Sequence, residues 1–281
     1  MARRSSASLK STTGTRIANA IIVIVALMQL LPLYWLVSCS FKFSNTIIKL
    51  PPEWIPKLIT FENYQNLFSS SYTLTWLLNS VIIASLATLG ICIFSTMSAY
   101  AFSKLRFHGR KTLFVIFIST LMLPKEVYII PLFKVTQYMK ISGTFAGSIL
   151  PNLALSFGIF MLYQHFDNIP DSLREAAKID GASEARVFVQ IFFPLVLPGV
   201  AALCILMFVQ NWNDYLWQLI QLTKDSAKTI QIGVASMQNE QMPDYGLNMA
   251  GAVYAAAPLV VIFLLFQKYF TAGITVGAVK E

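Results

Sequence analysis

Charge is scarce in this chain. Asp, Glu, Lys and Arg make up 12% of its 281 residues, and 56% are hydrophobic. Soluble domains carry about 25% charge, so water cannot be the solvent for most of this surface. Histidine is nearly missing: only His108 and His165 occur, and neither has a metal-ligand spacing. Three cysteines, Cys39, Cys92 and Cys204, lie in apolar runs and read as small buried hydrophobes, not as a disulfide framework. No Gly-x4-Gly-Lys-Ser/Thr loop cradles a phosphate, and no Gly-x-Ser-x-Gly elbow presents a nucleophile. Low-complexity linkers, internal repeats and a separate soluble domain are also missing. These absences leave no recognisable site for ATP hydrolysis, acyl transfer or metal chemistry.

Long apolar runs are what the chain has, with a mean hydropathy of +0.62. A helix crosses the hydrocarbon core with about 20 apolar residues. Six runs qualify, at about 17–40, 74–102, 112–134, 144–166, 192–219 and 251–270. The expectation is an all-α integral membrane protein, a single membrane domain over 1–281. Pro, Gly and polar residues interrupt the runs, as a packed or water-lined bundle tolerates.

The net charge of +8 follows the spans. Arg3, Arg4, Lys10 and Arg16 precede the first, and Lys104, Arg106, Arg110 and Lys111 follow the second. Arg174, Lys178 and Arg186 follow the fourth, and Lys268 and Lys280 end the chain. If six spans alternate, all of these fall on one side. The other side has Lys42, Lys49, Lys57, Lys134, Lys140, Lys224 and Lys228 but no Arg. The positive-inside rule puts both termini in the cytoplasm. The basic charge is a topology signal, and nucleic acid is not an expected partner. The first run is too long for a secretory leader and has no small-residue cleavage site, so it reads as a retained anchor.

Two outer segments stand out. The loop at 41–73 includes Phe61-Glu-Asn-Tyr-Gln-Asn-Leu, either an interfacial amphipathic helix anchored by Trp54, Phe61, Tyr64 and Phe68 or an ordinary packed loop. The segment 220–250 is long for a connection and has enough aliphatic and turn residues to be ordered.

The most charged stretch of the second half is a hairpin in the loop 167–191. Pro170 ends the fourth span. Ser172 and Glu175 have the capping-box spacing, and Leu173, Ala176 and Ala177 give a small face. Gly181 suits a left-handed cap, and Ser183 can start a second helix leading to Pro194. A short polar hairpin outside the lipid is either solvated, with Glu175 only a capping residue, or docked on a partner.

Polar residues inside spans face a cavity or another helix. Gln210, Asn211 and Asp214 share a helical face in the fifth run, interleaved with Trp212. Asn79 lies in the second run and Asn152 in the fourth. They line a solute path or make interhelical hydrogen bonds. Lys125 and Glu126, beside Pro124, are either a broken helix on that path or a charge-satisfying pair near the outer boundary.

Glu175-Ala176-Ala177, three residues, Gly181, nine residues, then Ile191 and Pro194 resembles the EAA loop of ABC importer permeases. Phe193 stands where the family commonly has Leu. The segments 121–133, 212–217 and 267–280 are similar to carbohydrate permeases of the maltose-transporter type. The resemblance implies a type I ABC importer permease fold with six transmembrane helices and a place in the cell membrane. It implies a coupling helix beginning at Ser172, with Glu175, Ala176, Ala177, Asp180 and Gly181 seated on an ATPase, and a tail reaching that ATPase. Implied partners are a larger permease subunit, two ATP-binding subunits that carry the ATP and Mg, an extracytoplasmic solute-binding protein, and lipid. No cofactor is expected on this chain. Asn79, Asn152, Gln210, Asn211, Asp214 and Trp212 would suit a sugar, whose hydroxyls bond amides and whose rings stack on aromatics. Another solute, or an ion-coupled secondary carrier, is the alternative.

Overall fold

A computed structural model describes residues 13–238 and 243–276, with side chains for 14–238 and 243–265. Every regular element among the described residues is helical. The chain divides into two compact units. One holds the residues up to Ser69 with Gln238–Tyr254; the other holds Ser70–Met237 and the chain from Ala255.

The first unit opens with α1, Thr13–Ser40, whose side chains are exposed along most of its length. Such an apolar surface suits lipid, not water. The short α2, Ser44–Ile47, and α3, Glu62–Ser69, follow. Asn63 on α3 donates to the carbonyls of Ser40 and Lys42, both at 2.8 Å, satisfying acceptors at the end of α1. Of the two readings left open for this segment, the helix is the one that forms, and Asn63 and Leu67 are its buried face. Lys42 is buried, with its ammonium on the Glu53 carbonyl and over the Trp35 ring at 4.3 Å.

The second unit is built on α4, Thr73–Lys104. Next come α5, Arg110–Ser119, and α6, Lys125–Tyr138. Then follow α7, Phe145–Ile149, and α8, Ser156–Asp167. The hairpin helices are α9, Ser172–Ile179, and α10, Glu184–Val187. After them run α11, Phe193–Trp212, α12, Leu216–Gln221, and α13, Ile230–Ser236. The last helix, α14, Tyr245–Val276, starts in the first unit and ends in the second. Asp244 caps it by accepting from the Leu247 N–H at 3.0 Å.

α8 and α11 pack on α4, and small residues set how closely. A Cβ on Gly158 of α8 would fall 2.4 Å from the Ser95 hydroxyl of α4, and between α11 and α8 one on Gly199 would fall 2.7 Å from the His165 ring. The Cys92 and Cys204 thiols meet between α4 and α11 with sulfurs 2.9 Å apart. The core there includes Ile91, Leu162, Phe166, Val187, Phe192 and Leu203.

Four helical stretches are long and apolar enough to cross a membrane: Gly14–Ser40, Thr73–Lys104, Glu184–Trp212 and Tyr245–Leu265. Two bent pairs raise the number to six if each is one span. The run at 112–134 is not one straight helix. α5 ends in a tight turn over Thr120–Met122, and α6 leaves it at 110°. Pro124 disfavours helical geometry at the residue before it, which fixes the break. Phe145–Asn152 and Ser156–Asp167 meet at 42°. The run at 192–219 also breaks, at Asn213–Tyr215 between α11 and α12. Within 220–250, α12 ends at Gln221, α13 spans Ile230–Ser236 and α14 begins at Tyr245; residues 239–242 and the tail 277–281 lie outside the described residues.

Candidate functional site: the helical hairpin

α9 forms where the sequence places it, but its start differs. The expected capping box between Ser172 and Glu175 is not made. Asp171 holds the cap position, without a side-chain cap bond, so Ser172 is already the first helical residue. The Asp171 carboxylate is engaged elsewhere. It accepts from Lys104 at the end of α4, 2.8 Å away. That hydrogen bond holds the Asp171 carboxyl below its ordinary value, and the Lys104, Arg106 and Arg174 charges act the same way against partial burial. Lys104 also donates to the Ile169 carbonyl at 2.5 Å, fixing the chain as it leaves α8.

The end of α9 is a complete Schellman motif. Gly181 N–H bonds the Lys178 carbonyl at 3.1 Å, and Ala182 N–H bonds that of Ala177 at 2.9 Å. Gly181 takes φ +79, which a side chain rarely adopts. Ser183 then caps α10 by accepting from the Arg186 N–H at 3.3 Å. Both of those turn expectations hold.

Glu184, the first residue of α10, is the hub that sequence reading missed. Arg174 grips it with two donors, Nε to Oε1 at 2.9 Å and Nη2 to Oε2 at 3.0 Å. Lys178 reaches Oε2 at 3.0 Å, and the Tyr100 hydroxyl donates to Oε1. The Glu184 bond raises the Arg174 guanidinium above its ordinary value. One carboxylate thus ties α9, α10 and α4 together, and charge-assisted bidentate pairing fixes the geometry.

The hairpin has two faces. Ala177 is buried in the core with Val187 and Phe192. Ala176 is exposed, so the two alanines do not form one small face, and Leu173 is exposed as well. Ser172, Glu175, Asp180 and Gly181 are also exposed. Ile179 is 87% exposed. After α10 the chain widens over Phe188–Phe192, where Phe193 N–H bonds the Phe188 carbonyl in the five-residue pattern of a π-helix. Pro194 lacks a helical donor and its ring crowds the preceding turn, which accounts for the widening.

The polar residues proposed within spans are dispersed among separate partners. Asn79 donates to the Ser226 and Lys228 carbonyls, both at 2.9 Å, and holds the turn before α13. Asn152 bonds the Ser148 carbonyl at 3.0 Å. Asn211 bonds Thr88 on α4 at 3.3 Å. Trp212 is buried, stacked on Phe208, with its indole N–H on the Ala255 carbonyl. Gln210 is exposed. Asp214 does not share their helical face, because it lies in the break after α11. It pairs with Lys125 at 2.7 Å. Lys125 therefore takes Asp214 as its partner, not the adjacent Glu126.

The profile of one protein family, the binding-protein-dependent transport system inner membrane component, matches residues 93–276. The arabinooligosaccharides transport system permease protein AraQ of Bacillus subtilis (strain 168) is 34% identical over 261 residues, 92% of this chain and 93% of that protein. The trehalose/maltose transport system permease protein MalG of Thermococcus litoralis is 32% identical over 264 residues, 92% of this chain and 94% of that one. In fold, the chain is similar to a bacterial ABC transporter involved in the import of the acidic polysaccharide alginate. The TM-score is 0.80 at 24% identity, over 92% of this chain and 98% of the other. The matched profile covers the α4 clamp, the hairpin and α11 alike, and this chain belongs to the family of binding-protein-dependent transport system inner membrane components.

Proposed function

We propose that this chain is one permease subunit of an ATP-driven carbohydrate importer, and that α9 is where it receives the work of a cytoplasmic ATPase. The observation that carries this reading is the division of the hairpin. One face is locked into the chain by Glu184, Asp171 and Ala177, while Glu175, Ala176, Ile179, Asp180 and Gly181 are left outward. A rigid helix with an apolar residue at its exposed tip is built to be seated.

Six spans with both termini in the cytoplasm place this hairpin beside the basic α4–α5 turn, on the ATP-accessible side. ATP and Mg belong to two partner subunits. A second, larger permease forms the other half of the path, and an extracytoplasmic binding protein delivers solute near 220–250. The carbohydrate assignment draws support from the names of the relatives. Moving a two-state equilibrium from 1:99 to 99:1 takes about 5.5 kcal/mol, within reach of ATP-driven closure acting through a seated helix. The substrate path passes the breaks near Lys125 and Asp214, where irregular backbone is tolerated only against protein or a water-filled cavity.

The test substitutes Glu175→Lys and Gly181→Trp in the assembled importer. A Cβ at Gly181 meets nothing within 4 Å inside this chain, so a side chain leaves the helix end into open space, at the cost of strain in the left-handed φ. Loss of ATPase co-purification and of uptake, with the permease still in the membrane, is the expected result. Normal co-purification and uptake in both variants would refute the docking reading.

A further inference from the structure

Tyr100 and Lys104 stand one turn apart on α4, so their side chains leave the same face of that helix. Each holds the start of a different hairpin helix. Lys104 takes Asp171 at the start of α9, and Tyr100 takes Glu184 at the start of α10. Arg174 and Lys178 close the set by joining α9 to the same Glu184 carboxylate. The Tyr100 ring is buried against Phe166, Phe188 and Phe192, so it cannot swing away from its acceptor without opening the core.

The covalent route out of the hairpin is softer. It runs through the widened turn at Phe188–Phe192 and then past Pro194 and Pro198, each of which removes a helical hydrogen bond. Wide turns and prolines are where helices bend.

We propose that α4 is the lever of transport. Movement of the seated hairpin enters the bundle sideways, through Tyr100–Glu184 and Lys104–Asp171, and not along the chain into α11. Tyr100 and Glu184 are positioning residues in this scheme, and the π-helical stretch is the joint that lets α11 lag. α4 is suited to the role because α8, α11 and α13 all pack on it. A tilt at its Lys104 end is carried by one continuous helix to Asn79 and Ser80 at the other end. There Asn79 holds the Ser226 and Lys228 carbonyls, and Ser80 accepts from the Ile230 N–H at 2.8 Å. The clamps thus connect the hairpin with the segment before α13. The scheme rests on the reading of α9 as the docking helix.

The test uses Tyr100→Phe, which deletes one hydroxyl and keeps the ring, in the full importer in lipid nanodiscs. Hydrogen exchange is followed over Tyr72–Leu78, at the far end of α4, with and without ATP. Wild type is expected to change exchange there on ATP binding, and Tyr100→Phe to shrink that change by roughly threefold or more, with the ATPase subunit still co-purifying. Glu184→Gln provides a second variant with the same expectation. No ATP-dependent change in wild type, or an unchanged response in both variants, overturns the lever while leaving docking intact. Loss of the ATPase subunit from both folded variants also overturns it, since the clamps would then serve docking alone. Failure of the ATPase subunit to co-purify with wild type refutes the docking reading itself.

Discussion

Lys125 and Asp214 form an ion pair of 2.7 Å between two interrupted helices. Lys125 begins α6 just after the 110° bend, and Asp214 lies in the break between α11 and α12. Asp214 also accepts weakly from the Trp217 N–H at 3.4 Å, and the Lys125 ammonium lies 5.8 Å from the Trp217 ring centre. Two broken backbones are thus pinned to each other through one partly buried pair. Lys125→Met or Asp214→Asn should each cost about 1–3 kcal/mol, the range for stranding a buried polar partner. The exchange Lys125→Asp with Asp214→Lys should recover part of it. Thermal melts of the purified permease measure both; equal melting of wild type and the single variants would show the pair to be idle.

The start of α9 gives a second expectation. Ser172 caps nothing and Glu175 is exposed. Ser172→Ala and Glu175→Gln should therefore stay within about 0.5 kcal/mol of wild type in stability. Asp171→Ala should be slightly worse, because it leaves the buried Lys104 ammonium with the Ile169 carbonyl alone and no counter-charge. Melting temperatures of the three variants rank them directly.

Local sequence determines only part of this helix start. Gly181 was legible because a helix end in left-handed geometry needs glycine. Ser183 was legible because its offset to the next helix is local. The helix starts one residue early and no capping box forms, because Asp171 and Ser172 are both capping types and the distant Lys104 takes the Asp171 carboxylate. Glu184 was invisible as a hub, since its Tyr100 partner is 84 positions away. Pro124 announces one helix break, but Asn213–Tyr215 contains neither Pro nor Gly, so helical spacing alone puts Asp214 on a face it does not share. The dispersed amides were legible as polar groups in apolar runs, though their separate partners were not.

The pH dependence of the Lys104–Asp171 clamp has a definite sign. The folded Asp171 pKa is depressed from its ordinary 3.8, mainly by the Lys104 hydrogen bond. Its contribution is complete above that ordinary value and is lost as pH falls through the lower folded one. The carboxylate is 64% exposed, so the effect is small. Wild type should melt slightly above Asp171→Asn at pH 7, and the two should converge below about pH 4. A difference that grows on acidification would contradict the assignment.

α13 is seated against α4 with no spare room. A Cβ on Gly233 would lie 2.1 Å from the Trp76 ring, while Trp76 donates to the Asp225 carbonyl at 2.7 Å. Gly233→Ala should cost about 1–3 kcal/mol through overpacking. Asn79→Ala should loosen the same turn by stranding the Ser226 and Lys228 carbonyls. Faster amide exchange across 225–236 in both variants is the expected readout.

The proposed seat of the outward face of α9 is an ATP-hydrolysing subunit. Its most direct measurement is chemical cross-linking from Ile179→Cys in native membranes. A seated α9 should give a dominant adduct between this chain and that subunit, and poor labelling of the same cysteine by a water-soluble maleimide while the complex is intact. Full maleimide labelling in the intact complex, with no adduct, would contradict it.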